Sequence, residues 1–185
     1  MLKGLFQNTF GSGSFLHTSF YNVFNKKEEP KPIIYDIKNR GVKFTEDDLK
    51  VLKPLMFSEI SNREPDKQKL EFNTILNTAI NRMGEYKKVK GRDYSLSEVL
   101  QMSNQYQGYE PNGRKEKGGK VIESQYQIWG RNDLVGTSSK KREYINSLVD
   151  SIGNNDIIDN TQGAFFYQHN PDQTITYDNN KKLFK

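Results

Sequence analysis

Glu59 is the carboxylate whose neighbours give it unusual chemistry. In Met56-Phe-Ser-Glu59-Ile-Ser-Asn62 it falls between Leu52, Leu55, Met56 and Ile60 at about 100° per residue, near the middle of an apolar helical face. A glutamate there is costly if it is both ionised and unpaired. Burial raises its pKa, and a carboxylic acid still protonated near neutral pH is the proton donor that a glycosidic oxygen needs. Two plainer alternatives stay open: a side chain that swings out to water at the helix end, or one that pairs with Arg63 or Arg82.

Other reactive types are sparse. Asp159 offers a second carboxylate, but it begins a Gly-containing turn, where Asp commonly serves the backbone. Cysteine is absent, which excludes disulfides and thiolate metal sites. His17 and His169 are too few and too far apart in sequence for a histidine metal site. His169 has no G-x-S-x-G companion, Gly11-Ser-Gly13 starts no dinucleotide fingerprint, and Lys117-Gly-Gly-Lys120 is no phosphate loop. No metal and no cofactor is expected.

The elements that must position Glu59 are mainly helical. Thr45-Glu-Asp-Asp48 reads as a capping box that opens a helix through Leu49, Leu52, Leu55, Met56 and Ile60, with Pro54 expected to kink it or restart it. A second helix is predicted over 66–83, with an apolar stripe of Phe72, Ile75, Leu76, Ala79, Ile80 and Met83 and with Gly84 as its stop. A short third helix is predicted over 95–102. A fourth, over 138–152, turns Tyr144, Ile145, Leu148, Val149 and Ile152 inward. Residues 107–133 are polar and Gly-rich, with a strand predicted at 120–129. The end of the chain reads as extended segments and turns. The expected class is α+β, mainly helical: an N-terminal arm and linker over 1–40, and one domain over 41–185.

At 185 residues and 34% hydrophobic content, the chain has room for one domain with a lean core. The net charge of +5 favours polyanions, either nucleic acid or the anionic bacterial wall. It is diffuse, however: between Glu110 and Arg142 eight Lys/Arg stand against four acids, which reads as a solvated surface. Basic residues do not gather with aromatics on one face, so a nucleic-acid partner is not expected. No apolar run reaches membrane-spanning length. The N-terminus lacks the unbroken apolar segment of a secretory signal.

Three segments, in order, carry a family resemblance. Phe57-Ser-Glu59 precedes the helix Ile75-Leu-Asn-Thr-Ala-Ile-Asn-Arg82. Leu96-Ser-Glu-Val-Leu-Gln-Met-Ser-Asn-Gln105-Tyr106-Gln follows, and then Asp159-Asn-Thr161-Gln-Gly163-Ala164-Phe-Phe-Tyr167-Gln-His-Asn170-Pro171. Together they resemble the spore-cortex-lytic cell-wall hydrolases. That family has an aromatic-Gly-Glu motif ahead of a helix ending in Asn-Arg, a Gln-Phe pair, and a D-P-T-x-G-A-x-x-Y-x-N-P ending. The likeness spans Met56 to Pro171. Ser58 stands where the family has Gly, Asn160 where Pro is common, Gln168 reads as one extra residue, and 108–133 has no counterpart.

The resemblance implies a lysozyme-like domain that cleaves peptidoglycan glycan strands between N-acetylmuramic acid and N-acetylglucosamine, as a muramidase or lytic transglycosylase. It implies Glu59 as catalytic acid and base, with Thr161 and Tyr167 lining its cleft and Gln105 and Tyr106 touching sugar. Trp129, the only tryptophan, offers a further stacking face, although single tryptophans are commonly core. The lean domain and the Phe-bearing arm point to a phage-associated protein in the virion or at the host cell envelope, docked through residues 1–30 onto virion or tail proteins. A non-catalytic virion protein on the same fold is the alternative expectation.

Overall fold

The structure is a computed structural model that describes residues 33–102, 106–153, 159–170, 172 and 174–178. The expectation of a docked arm over 1–30, and Gln105, lie outside the described residues. Residues 33–40, read above as part of the arm, fall in the same compact unit as the site. They form strand β1 (Ile33–Ile37) and a 3-10 turn, Lys38–Arg40; β1 pairs antiparallel with β2 (Val42–Thr45). Ile37 is buried in the core, which is why the hairpin packs with the domain.

Helix α1 (Glu46–Glu59) opens on the capping box: Thr45 accepts the Asp48 N–H, and the Asp48 carboxylate takes the Thr45 N–H at 2.8 Å. The second Asp48 oxygen accepts the Ser97 N–H at 2.7 Å, so one buried acid joins two helix starts. Pro54 neither ends the helix nor restarts it. Leu52, Leu55 and Met56 are fully buried around it, and that burial outweighs the lost hydrogen bond.

Helix α2 runs Pro65–Lys90, well beyond the predicted stop at Gly84. The stretch after Gly84 is rich in helix formers, and Tyr86 is buried against the core, so tertiary packing overrides one glycine. Gly91, at φ 69°, makes the left-handed stop. Helix α3 (Leu96–Leu100) opens on a Ser95/Glu98 capping box. The strand predicted over 120–129 is another correction. Only Val121–Ile122 (β4) pairs, with β3 (Arg114–Lys115), and a Ser124/Gln127 capping box then turns the chain into helix α4 (Gln125–Ile128). Helix α5 spans Gly136–Ile152, and a final hairpin pairs β5 (Phe166–His169) with β6 (Ile175–Asp178). The result is a mainly helical α+β domain with three small antiparallel hairpins among the described residues. Helix α1 lies at its centre, packed on α3, α4 and α5. No helix among the described residues is long and apolar enough to cross a membrane.

Candidate functional site

Glu59 is the last residue of α1 and is half-buried. Its Oε1 accepts the backbone N–H of Gly108, from the loop after α3. Both arginines that might have neutralised it are engaged elsewhere. Arg63 pairs with Glu71 at 3.5 Å, and Arg82 donates Nε–H to the Phe165 carbonyl at 2.7 Å. Burial pushes the Glu59 carboxyl above the ordinary carboxylate range; the Gly108 N–H and the facing His169 pull the other way without cancelling it.

The contact with Gly108 depends on the missing side chain. A Cβ there would lie 2.5 Å from the Ser58 Cβ and 3.0 Å from Glu59 Oε1. Ser58 turns its hydroxyl back onto the Pro54 carbonyl at 3.1 Å. Outside this contact a cleft of about 430 Å³ opens, lined by Glu59, Ser58, Gln107, Gly108, Glu110, Arg114 and Gln125. That volume and polar lining fit a saccharide unit or a similar polar ligand.

The other residues singled out in the sequence are placed as follows. Tyr167, on β5, is half-buried and close enough to Glu59 for its hydroxyl pKa to be raised well above the ordinary value, by burial first and then by the Glu59 charge. Tyr106 is buried, with the Arg82 guanidinium 5.1 Å from its ring centre, so that face is occupied by protein. Thr161 is fully buried beneath the turn that follows Asp159. It donates to Asp159 Oδ1 at 2.5 Å and accepts from Asn81 at 3.0 Å. Asp159 also takes the Thr161 and Gly163 N–H groups and lies 3.7 Å from Arg40. Arg40 in turn bonds Asn77 and Asn81 of α2 at 2.7 and 2.6 Å. The Asp-Asn-Thr-Gln-Gly segment is therefore a built turn locked onto α2, and its Thr is not on the cleft wall. Trp129 sits edge-on to Phe57 at 5.7 Å and is not among the residues lining the cleft.

The site contains two residues that sequence reasoning missed. Glu71 on α2 is 2% exposed and accepts the Ser61 N–H at 2.8 Å and the Ser61 hydroxyl at 2.8 and 2.9 Å. His169 Nδ1 lies 3.6 Å from it, so one imidazole faces both Glu71 and Glu59. Lys141 on α5 donates to the Ile60 carbonyl and sits 5.0 Å from the Phe57 ring centre. Burial lowers its pKa to about 8, opposed by the Glu71 charge. Glu71 could have been flagged by spacing, since it lies one turn before Ile75 of the apolar stripe; Lys141 carries no such signal. Among the described residues no group of three His, Asp or Glu side chains gathers in a form that could hold a metal ion. No protein-family model, curated protein or solved structure matches this chain.

Proposed function

We propose that the chain is a peptidoglycan-cleaving glycosidase, lysozyme-like in its catalytic domain, with Glu59 as general acid and base. The observation that carries this reading is a half-buried carboxyl, bonded to neither Arg63 nor Arg82 and raised in pKa by burial, that opens into a polar cleft of about 430 Å³ lined also by Arg114. The three-segment resemblance to the spore-cortex-lytic hydrolases supports it independently.

In the reaction, the Glu59 proton passes to the glycosidic oxygen as the bond from that oxygen to C1 breaks. An oxygen nucleophile then attacks C1 and returns its proton to a carboxylate. If the nucleophile is the muramyl 6-hydroxyl, Glu59 takes the proton and an anhydro ring closes. If it is water, a base is needed, and Glu110 lines the same cleft. The expected setting is a phage-associated protein acting at the host cell envelope.

The test is incubation of purified peptidoglycan with the wild type and with Glu59→Gln. Wild type should release muropeptides, with the variant slower by about 10²–10⁴-fold. Mass spectrometry of the product ends then separates anhydro from hydrated sugars. Equal rates, or no release by either protein, contradict the proposal; the latter points to a structural protein on the same fold.

A further inference from the structure

Arg114 lines two hollows at once. One is the Glu59 cleft; the other, of about 460 Å³, is formed by Arg114, Lys115, Glu116, Lys117 and Ile122 on the β3–β4 hairpin. The hairpin lies in the 108–133 stretch that the family resemblance leaves unmatched. From 114 to 120 it carries four cations, Arg114, Lys115, Lys117 and Lys120, against one acid, Glu116.

None of these four cations forms an ion pair among the described residues, whereas the similarly exposed Arg92 and Arg131 are held by Glu98 and by Glu123 and Asp133. The hairpin is also fixed in place. Ser124, buried, donates its hydroxyl to the Glu110 carbonyl at 2.7 Å, and Gln127 donates to the Pro111 carbonyl at 3.1 Å. Gly113, at φ 83°, lets the chain pass where a Cβ would lie 2.7 Å from the Ile122 carbonyl oxygen. The charges are thus presented on a braced turn that continues the cleft.

From this arrangement we infer a cationic subsite on the β3–β4 hairpin that binds the carboxylates of peptide stems on the glycan strand lying in the Glu59 cleft. The inference rests on the glycosidase reading. Where the lactyl groups of a peptidoglycan strand are in amide linkage, its sugars are uncharged and its negative charge lies on the stems. A strand placed with one bond at Glu59 carries neighbouring stems past Arg114 and onto the lysines. Exposed cations hold carboxylates weakly one by one, but several on one turn add up and respond to salt.

The experiment uses wall polymer freed of phosphate polymers, either native or with its stem carboxylates amidated, and full-length protein with Arg114 retained. The variant is Lys115→Gln/Lys117→Gln/Lys120→Gln; all three lysines are exposed, so folding should be unaffected. On native polymer at low salt the variant should show KM raised roughly tenfold with kcat unchanged. On amidated polymer it should match the wild type. In parallel, Glu59→Gln should co-sediment with native polymer more than with amidated polymer, and lose that preference when the lysine changes are added. Equal losses on both polymers, no loss on either, or a loss seen only when phosphate polymer or nucleic acid is supplied overturns the subsite. A wild type that cleaves neither polymer overturns the glycosidase reading instead, and co-sedimentation still decides the subsite.

Discussion

Gly108 leaves no room for a side chain, and that close approach brings a backbone N–H to the Glu59 carboxylate. Replacing it with Ala puts a methyl against the Ser58 Cβ, so the loop must retreat and the bond to Glu59 lengthens. The expected cost is about 1–3 kcal/mol in urea unfolding. Polymer cleavage should fall by up to roughly a hundredfold, since a shift of about 1 Å in a catalytic group costs that much. Adding Ser58→Gly removes the atom it strikes and should recover part of both losses. A Gly108→Ala protein as stable and active as wild type would show that the contact does not matter.

At the scale of elements, the C-terminal end of α1 is held by three separate pieces: Gly108 from the following loop, Glu71 of α2 through Ser61, and Lys141 of α5 through the Ile60 carbonyl. Lys141 makes the last of these testable. Its pKa is lowered to about 8 in the fold by burial, from an ordinary value of 10.5 in the unfolded chain. Between those two values the unfolded state binds more protons, so this group makes stability rise with pH. The urea midpoint of wild type relative to Lys141→Met should therefore improve from pH 7.5 to 9.5. A constant difference would mean that Lys141 titrates normally. The helices themselves were legible because their signals are local: the Thr45 capping box, and the stripes from Leu49 and Phe72. Gly84 misled because its cost is small against the packing of Tyr86 beyond it. The 120–129 stretch misled because Val121 and Ile122 read as the start of a strand, while the Ser124/Gln127 box, a local signal too, turns the chain into a helix after two paired residues.

At the scale of the molecule, the site brings together residues remote in sequence: the end of α1, the loop at 107–110, the β3–β4 hairpin and β5. Glu59 was legible as a candidate from its helical position taken together with the three-segment resemblance. The cleft opposite it was not, because 108–133 has no periodicity and its placement depends on hydrogen bonds such as Ser124 to the Glu110 carbonyl, which close over a long loop. Thr161 illustrates the converse. A motif marked its importance, yet its hydroxyl serves the turn that ties Asp159 to α2 and Arg40, a distinction that requires the tertiary contacts. What the proposed reaction requires is a proton on Glu59 at working pH. The most direct measurement is a carbon-detected NMR titration of the Glu59 side-chain carboxyl in the intact protein, set beside the pH dependence of kcat/KM on purified peptidoglycan. The midpoint should lie above the ordinary 4.5, and cleavage should decline as pH rises through that same midpoint, because only the protonated acid can donate. A midpoint at or below 4.5, or cleavage that is indifferent to it, would contradict the assignment of Glu59 as the proton donor.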